Sequence, residues 1–106
     1  MNPPRPLTDE EAADFALWMS PFEREVIALC AKGKALGYAR IAEKIGAPYA
    51  EVQSVGRKLQ AKRLAYISVV RQADEYHGSA LFLNDRGERV KRAVEILARF
   101  RINREG

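Results

Sequence analysis

The sequence has a single cysteine, Cys30, and a single histidine, His77. One cysteine closes no internal disulfide, and one cysteine with one histidine falls short of the four ligands of a structural zinc site. The same scarcity argues against catalysis by a triad or a thiol, which sets a base beside its nucleophile; His77 stands instead in a polar, glycine-containing segment. The chain reads as a binder and not as an enzyme, with no cofactor implied. Long apolar runs are missing too. Ala65 to Val70 is far shorter than the roughly 20 residues needed to cross a bilayer. Met1-Asn2-Pro3-Pro4-Arg5-Pro6 has no apolar stretch behind it of the secretory kind, so the expectation is a cytoplasmic protein with no membrane part.

What is present fits one globular domain: 106 residues, 47% hydrophobic and 30% charged. The net charge of +4 is unevenly spread. Residues 1–31 carry two basic and six acidic side chains, a net −4, whereas residues 32–71 carry nine basic against two acidic, a net +7. A basic middle behind an acidic start points to a polyanion, and to nucleic acid first.

Residues 1–7, rich in proline, read as a flexible arm, residues 8–102 as the domain and 103–106 as a tail. Thr8-Asp9-Glu10-Glu11 is a capping box, which starts a helix at Asp9 with Ala12, Phe15, Ala16 and Met19 along one stripe. Ser20-Pro21 with Glu23 repeats the device, and Phe22, Val26, Leu29 and Cys30 supply the apolar face of a second helix that Gly33 should end near Lys32. After a short connection, Tyr38 to Ile45 has two amphipathic turns; Gly46 and Pro48 stop it, and Tyr49 to Lys62 resumes the period through Val52, Val55 and Leu59. Ala65 to Val70 is β-branched and aromatic, Ala80 to Leu83 is a second short strand, and the polar segment between them ends in Gly-Ser, as in a hairpin. Arg86 to Arg101 returns to helix.

Helix, short helix, three-residue turn, longer helix, hairpin and helix is the order of a winged helix-turn-helix, a mainly α fold with a small β-hairpin (α+β). The chain resembles a reduced member of the MarR family of transcriptional regulators over roughly residues 22 to 92. Ile41-Ala42-Glu43-Lys44-Ile45-Gly46 is similar to that family's turn-entry helix, Leu59-Gln60-Ala61-Lys62-Arg63-Leu64 to the exit from its recognition helix, and Leu83-Asn84-Asp85-Arg86-Gly87 to its hairpin-to-helix junction. Where the family usually has glycine after the recognition helix, this chain has Arg63. The resemblance implies sequence-specific binding of double-stranded DNA with helix 49–62 in the major groove.

On that helix Gln53 can pair bidentately with adenine and Arg57 with guanine, while Ser54 suits either. Tyr38, Tyr49, Lys58, Lys62, Arg71 and His77 are the candidates for the phosphate backbone. Gly56 inside the helix costs roughly 1 kcal/mol relative to alanine, which is tolerable where another element packs closely. Arg86, Arg89, Lys91 and Arg92 read as a solvated helix face before a phosphate-binding one. Cys30, within an apolar stripe, reads as a buried structural thiol and not as a redox sensor. Trp18 and Tyr38 read as core aromatics, so no small-molecule effector is assigned.

In the last helix Val90, Val94 and Leu97 form one apolar line, and Ala93, Ile96 and Phe100 a second. One line faces the chain's own core and leaves the other for a second copy. The expected homodimer uses Phe15, Trp18, Met19, Val94, Leu97 and Phe100. Two alternatives stand beside this reading. One is a winged-helix module that binds protein without DNA, which the +7 stretch disfavours; the other is non-specific DNA compaction, which would not require Gln53 and Ser54.

Overall fold

The computed structural model describes the backbone of residues 5–72 and 75–105, and the side chains of residues 5–69 and 78–100. Among the described residues, five helices and three strands follow one another as α1 (Asp9–Trp18), α2 (Pro21–Leu29), β1 (Leu36–Gly37), α3 (Tyr38–Ile45), α4 (Tyr49–Ala61), β2 (Ala65–Gln72), β3 (Glu75–Leu83) and α5 (Asp85–Glu105). The architecture is the winged helix expected from the order of the pieces, with an α+β content.

Both capping boxes form. Thr8 Oγ1 accepts from the Glu11 amide at 3.1 Å while Glu11 Oε1 accepts from the Thr8 amide at 3.1 Å, and Ser20 and Glu23 do the same at 3.1 and 3.2 Å. These contacts satisfy amides that the first helical turn leaves without partners. Glu11 is also bound by the Arg5 guanidinium. That contact first, and the Thr8 amide second, hold its carboxyl down at about 2. The C-terminal end of α1 is closed from outside, by Arg24 donating to the carbonyls of Ala16 and Leu17 at 3.0 and 3.2 Å.

Helix α2 ends earlier than the position of Gly33 suggests. Cys30 is already extended, at φ −82° and ψ 163°, and Ala31 pairs with Lys34 across a turn in which Gly33 has φ 70°. The early stop lets the Ala31 carbonyl accept from the Leu83 amide at 3.0 Å, which ties the connection to the sheet. That connection also contains β1, a two-residue strand that sequence pattern does not reveal because two residues carry no alternation. Leu36 and Gly37 pair antiparallel with Leu81 and Ala80, so the sheet order is β1-β3-β2. Strands β2 and β3 pair from Ala65↔Leu83 to Gln72↔Glu75, longer than the two apolar runs alone predict.

The core is one cluster. Ala12, Ala16 and Met19 of the first helical segment, Val26, Ile27 and Cys30, Tyr38 and Ile41, Val52, Val55 and Leu59, Leu64, Leu81 and Leu83, and Val90 and Val94 are all buried. Ile27 joins it and Leu29 stays partly exposed, because α2 packs against α3, α4 and α5 and is enclosed on more than one side. Burial pushes the Cys30 thiol up to about 12, against a smaller opposing effect of the Lys91 charge, and Lys91 Nζ donates to the Cys30 carbonyl at 2.6 Å.

Two expected boundaries shift. Leu7 is buried at 3%, and the Arg5 carbonyl accepts from Arg86 at 2.9 Å, so residues 5–7 belong to the packed body and not to a flexible arm. Helix α5 runs on to Glu105, through most of the segment expected as a tail.

Among the described residues, no helix is long and apolar enough to cross a membrane, and no group of histidine, cysteine and carboxylate side chains is placed to hold a metal ion.

Candidate nucleic-acid interface

Gly46, left-handed at φ 75°, closes α3, and residues 46–48 make the turn into α4. Pro48 is the N-cap of α4. Val52, Val55, Gly56 and Leu59 bury the inner face of that helix. The 3.6-residue period then forces Ser54, Arg57, Lys58 and Lys62 outward, where all four are exposed, with Gln53 half-buried at the edge of the face. Tyr49, Ala50, Glu51, Gln60 and Ala61 are exposed as well. Four of the side chains named from sequence therefore share one side of α4, and Lys62 is the exposed residue that caps its C-terminal end. None of them takes part in a salt bridge or side-chain hydrogen bond within the described residues that would hold it back from a partner.

The inner face is fixed by Tyr38. Its ring is 1% exposed and lies across Gly56, so that a Cβ at position 56 would overlap the Tyr38 hydroxyl and ring edge. This is the close packing that a glycine in mid-helix implied. It also corrects the assignment of Tyr38 to the phosphate backbone, since a side chain enclosed between α3 and α4 cannot reach a ligand outside. Tyr49 meets Tyr38 edge to face, with ring centroids 5.8 Å apart and planes at 76°. Its hydroxyl accepts from the Ser79 amide of β3 at 3.3 Å, and the residue remains partly exposed at the start of α4. The side chains of Arg71 and His77 lie outside the described residues.

Helix α3 adds cations that were not singled out in the sequence. With Tyr38 and Ile41 inward, Arg40 and Lys44 face out. The signal was available in the same helical period that placed the face of α4. The basic residues of α5 serve a different purpose. Arg86 donates to the carbonyls of Arg63, Lys62 and Arg5, at 3.1, 3.3 and 2.9 Å, and Arg89 pairs with Asp9 at 3.1 Å. Arg86 thereby braces the exit of α4, where Arg63 is left-handed at φ 61° and Asn84 also donates to its carbonyl at 2.8 Å.

The residues expected at an interface between copies divide. Met19 and Val94 are buried at 4% and 6%, Phe15 and Leu97 are partly buried against the same core, and Trp18 and Phe100 are 87% and 63% exposed. Met19 and Val94 therefore face their own interior, which corrects their assignment, because α1 packs along α5 of the same chain and closes over them. Trp18 is likewise no core aromatic, and it does not share a lining with buried Tyr38.

No family model matches the sequence, and no curated protein matches it. Solved structures do. FabT of Streptococcus pneumoniae, determined in complex with DNA, is 17% identical, with 82% of this chain and 59% of that one covered and a TM-score of 0.61. MepR of S. aureus, also in a DNA complex, is 19% identical, with 91% and 77% covered and a TM-score of 0.61. YusO of Bacillus subtilis is 23% identical, with 87% and 67% covered and a TM-score of 0.57. The chain spans about three fifths of the length of FabT. The likeness shows that this chain shares the fold of these structures, and the order of its elements is that of a winged helix-turn-helix.

Proposed function

We propose that this chain is a sequence-specific double-stranded DNA-binding protein that regulates transcription, acting in the cytoplasm as a homodimer and without catalysis. The observation that carries the reading is the outward face of α4, where Gln53, Ser54, Arg57 and Lys58, with Lys62 at the cap, stand on the second helix of a helix-turn-helix whose other face is buried. Such a helix fits the major groove, with amide and guanidinium groups matched to base edges. That FabT and MepR, of the same fold, were solved with DNA supports it.

In this reading Gln53, Ser54 and Arg57 meet bases. Lys58 and Lys62 meet phosphates, joined by Arg40 and Lys44 on the helix that crosses the backbone. A protein-binding winged helix would have no use for the net +7 of residues 32–71. The dimer is supported by Trp18, Ile96 and Phe100, large apolar side chains left exposed on the two terminal helices.

Selection from random duplex DNA with the full chain tests the class. One enriched motif, an inverted repeat with half-sites about one helical turn apart, is the expected result. Contact with about four to six phosphates per monomer gives a log-log salt slope of about −4 to −5 per monomer. Arg57→Ala and Gln53→Ala should each relax preference at particular positions by about 1–3 kcal/mol, while Lys62→Ala weakens all sequences alike. No enrichment and no duplex binding would remove the reading.

A further inference from the structure

Strand β1 pairs with β3 as far as Gly37, opposite Ala80, and Ser79 is the next residue of β3. There the Ser79 amide donates to the Tyr49 hydroxyl, 3.3 Å away and thirty residues distant in sequence. The approach is close on its other side as well: a Cβ on Gly78, which has φ 99°, would stand 3.2 Å from the same oxygen. The ring that carries this hydroxyl is held by the edge of Tyr38, which is itself wedged against Gly56. Tyr49 is the first residue of α4. One side chain thus connects the start of the candidate recognition helix to the strand that forms one arm of the hairpin, and a buried aromatic fixes its direction.

We propose that Tyr49 is a positioning residue that locks the β2–β3 hairpin to the N-terminal end of α4, so that helix and hairpin meet a duplex as one rigid unit. The inference rests on the DNA reading above and adds to it the source of the hairpin's placement. A helix alone covers a few base pairs of one groove; a hairpin held at a fixed angle beside it extends contact along the backbone without a separate ordering cost on binding. The hydroxyl is the element to remove, because Tyr49→Phe keeps the ring contact with Tyr38 and deletes only the oxygen that accepts from the Ser79 amide.

The test compares the full-length wild type with Tyr49→Phe in two measurements. Amide hydrogen exchange of the free protein should show Ser79 exchanging at least about ten-fold faster in the variant, with the amides of α4 unchanged. Hydroxyl-radical footprinting on the duplex enriched by selection should show the outer, hairpin-side protection weakened and the central protection kept, with affinity about three- to ten-fold lower. Unchanged Ser79 exchange in the variant overturns the lock even if affinity falls, since the loss of a direct phosphate contact would leave that amide as it was. Faster exchange with an unaltered footprint also overturns it. A wild type that protects no duplex removes the DNA reading itself, and the positioning role falls with it, while the exchange comparison still reports whether the contact exists.

Discussion

The Tyr38 hydroxyl occupies the space that a side chain at Gly56 would fill. Two helices of the helix-turn-helix are thereby keyed to each other by one aromatic and one missing Cβ, and the crossing of α3 and α4 is set by that fit. Intrinsic propensity alone makes Gly56→Ala favourable by about 1 kcal/mol in a helix. The overlap reverses the sign: we expect the variant to be less stable by about 1–3 kcal/mol, as other overpacked cores are. Urea denaturation of Gly56→Ala, Tyr38→Phe and the double variant measures it, and the double variant should be less damaged than the two single losses summed.

Arg63 sits where a left-handed residue is required, at φ 61°. The region costs an L-residue about 1–2 kcal/mol, part of which glycine's greater unfolded-state freedom offsets. Arg63→Gly should therefore raise stability by about 0.5–1 kcal/mol, whereas Arg63→Val, β-branched, should lower it. The carbonyl at this position keeps its bonds from Asn84 and Arg86 in both variants, so the backbone term is isolated. Equal urea midpoints for the two variants would contradict the assignment of strain to this residue.

Cys30 is fully buried and its thiol is pushed up to about 12 from an ordinary value of 9.0. The native thiol stays neutral where an unfolded one ionises, so its contribution to stability is complete below pH 9 and is lost as pH rises from there towards 12. Two outcomes follow. A thiol reagent at pH 8 should label the native protein only as fast as it opens, and label the urea-unfolded protein at once. Cys30→Ala should flatten the alkaline fall in melting temperature between pH 9 and pH 11. Rapid native labelling would mean an accessible thiol and would reopen the sensor role.

Trp18 and Phe100 stand 87% and 63% exposed on α1 and α5. Burying such side chains against a second copy contributes about 1.5–3 kcal/mol each. Sedimentation of the wild type at micromolar concentration should give a dimer, and Phe100→Glu should give a monomer of 11.9 kDa. A wild type at the monomer mass removes the dimer; a dimeric Phe100→Glu moves its interface away from α5.

The sequence by itself determined where the helices start and the strands' inner ends. Capping boxes at Thr8 and Ser20, the glycine at 46, and the period of Val52, Val55 and Leu59 are local devices, in which neighbours along the chain satisfy one another's amides or share a face. The outward side of α4 followed from the same period. Tertiary structure alone decided what each exposed or apolar position meets. Strand β1 exists only because β3 lies beside it, and α2 stops at Leu29 because Ala31 bonds to Leu83, far along the chain. Tyr38 and Tyr49 look alike in sequence, as aromatics at helix starts, yet one is enclosed over Gly56 and the other bridges to Ser79. Arg86 looks like one cation in a basic helix, and it is spent on three carbonyls. Met19 and Val94 show the same limit: whether an apolar residue faces its own core or a partner depends on which helix is packed across it, and here α1 and α5 cover each other. Periodicity reports which side of a helix is apolar, but only the packing of remote segments assigns that side its neighbour.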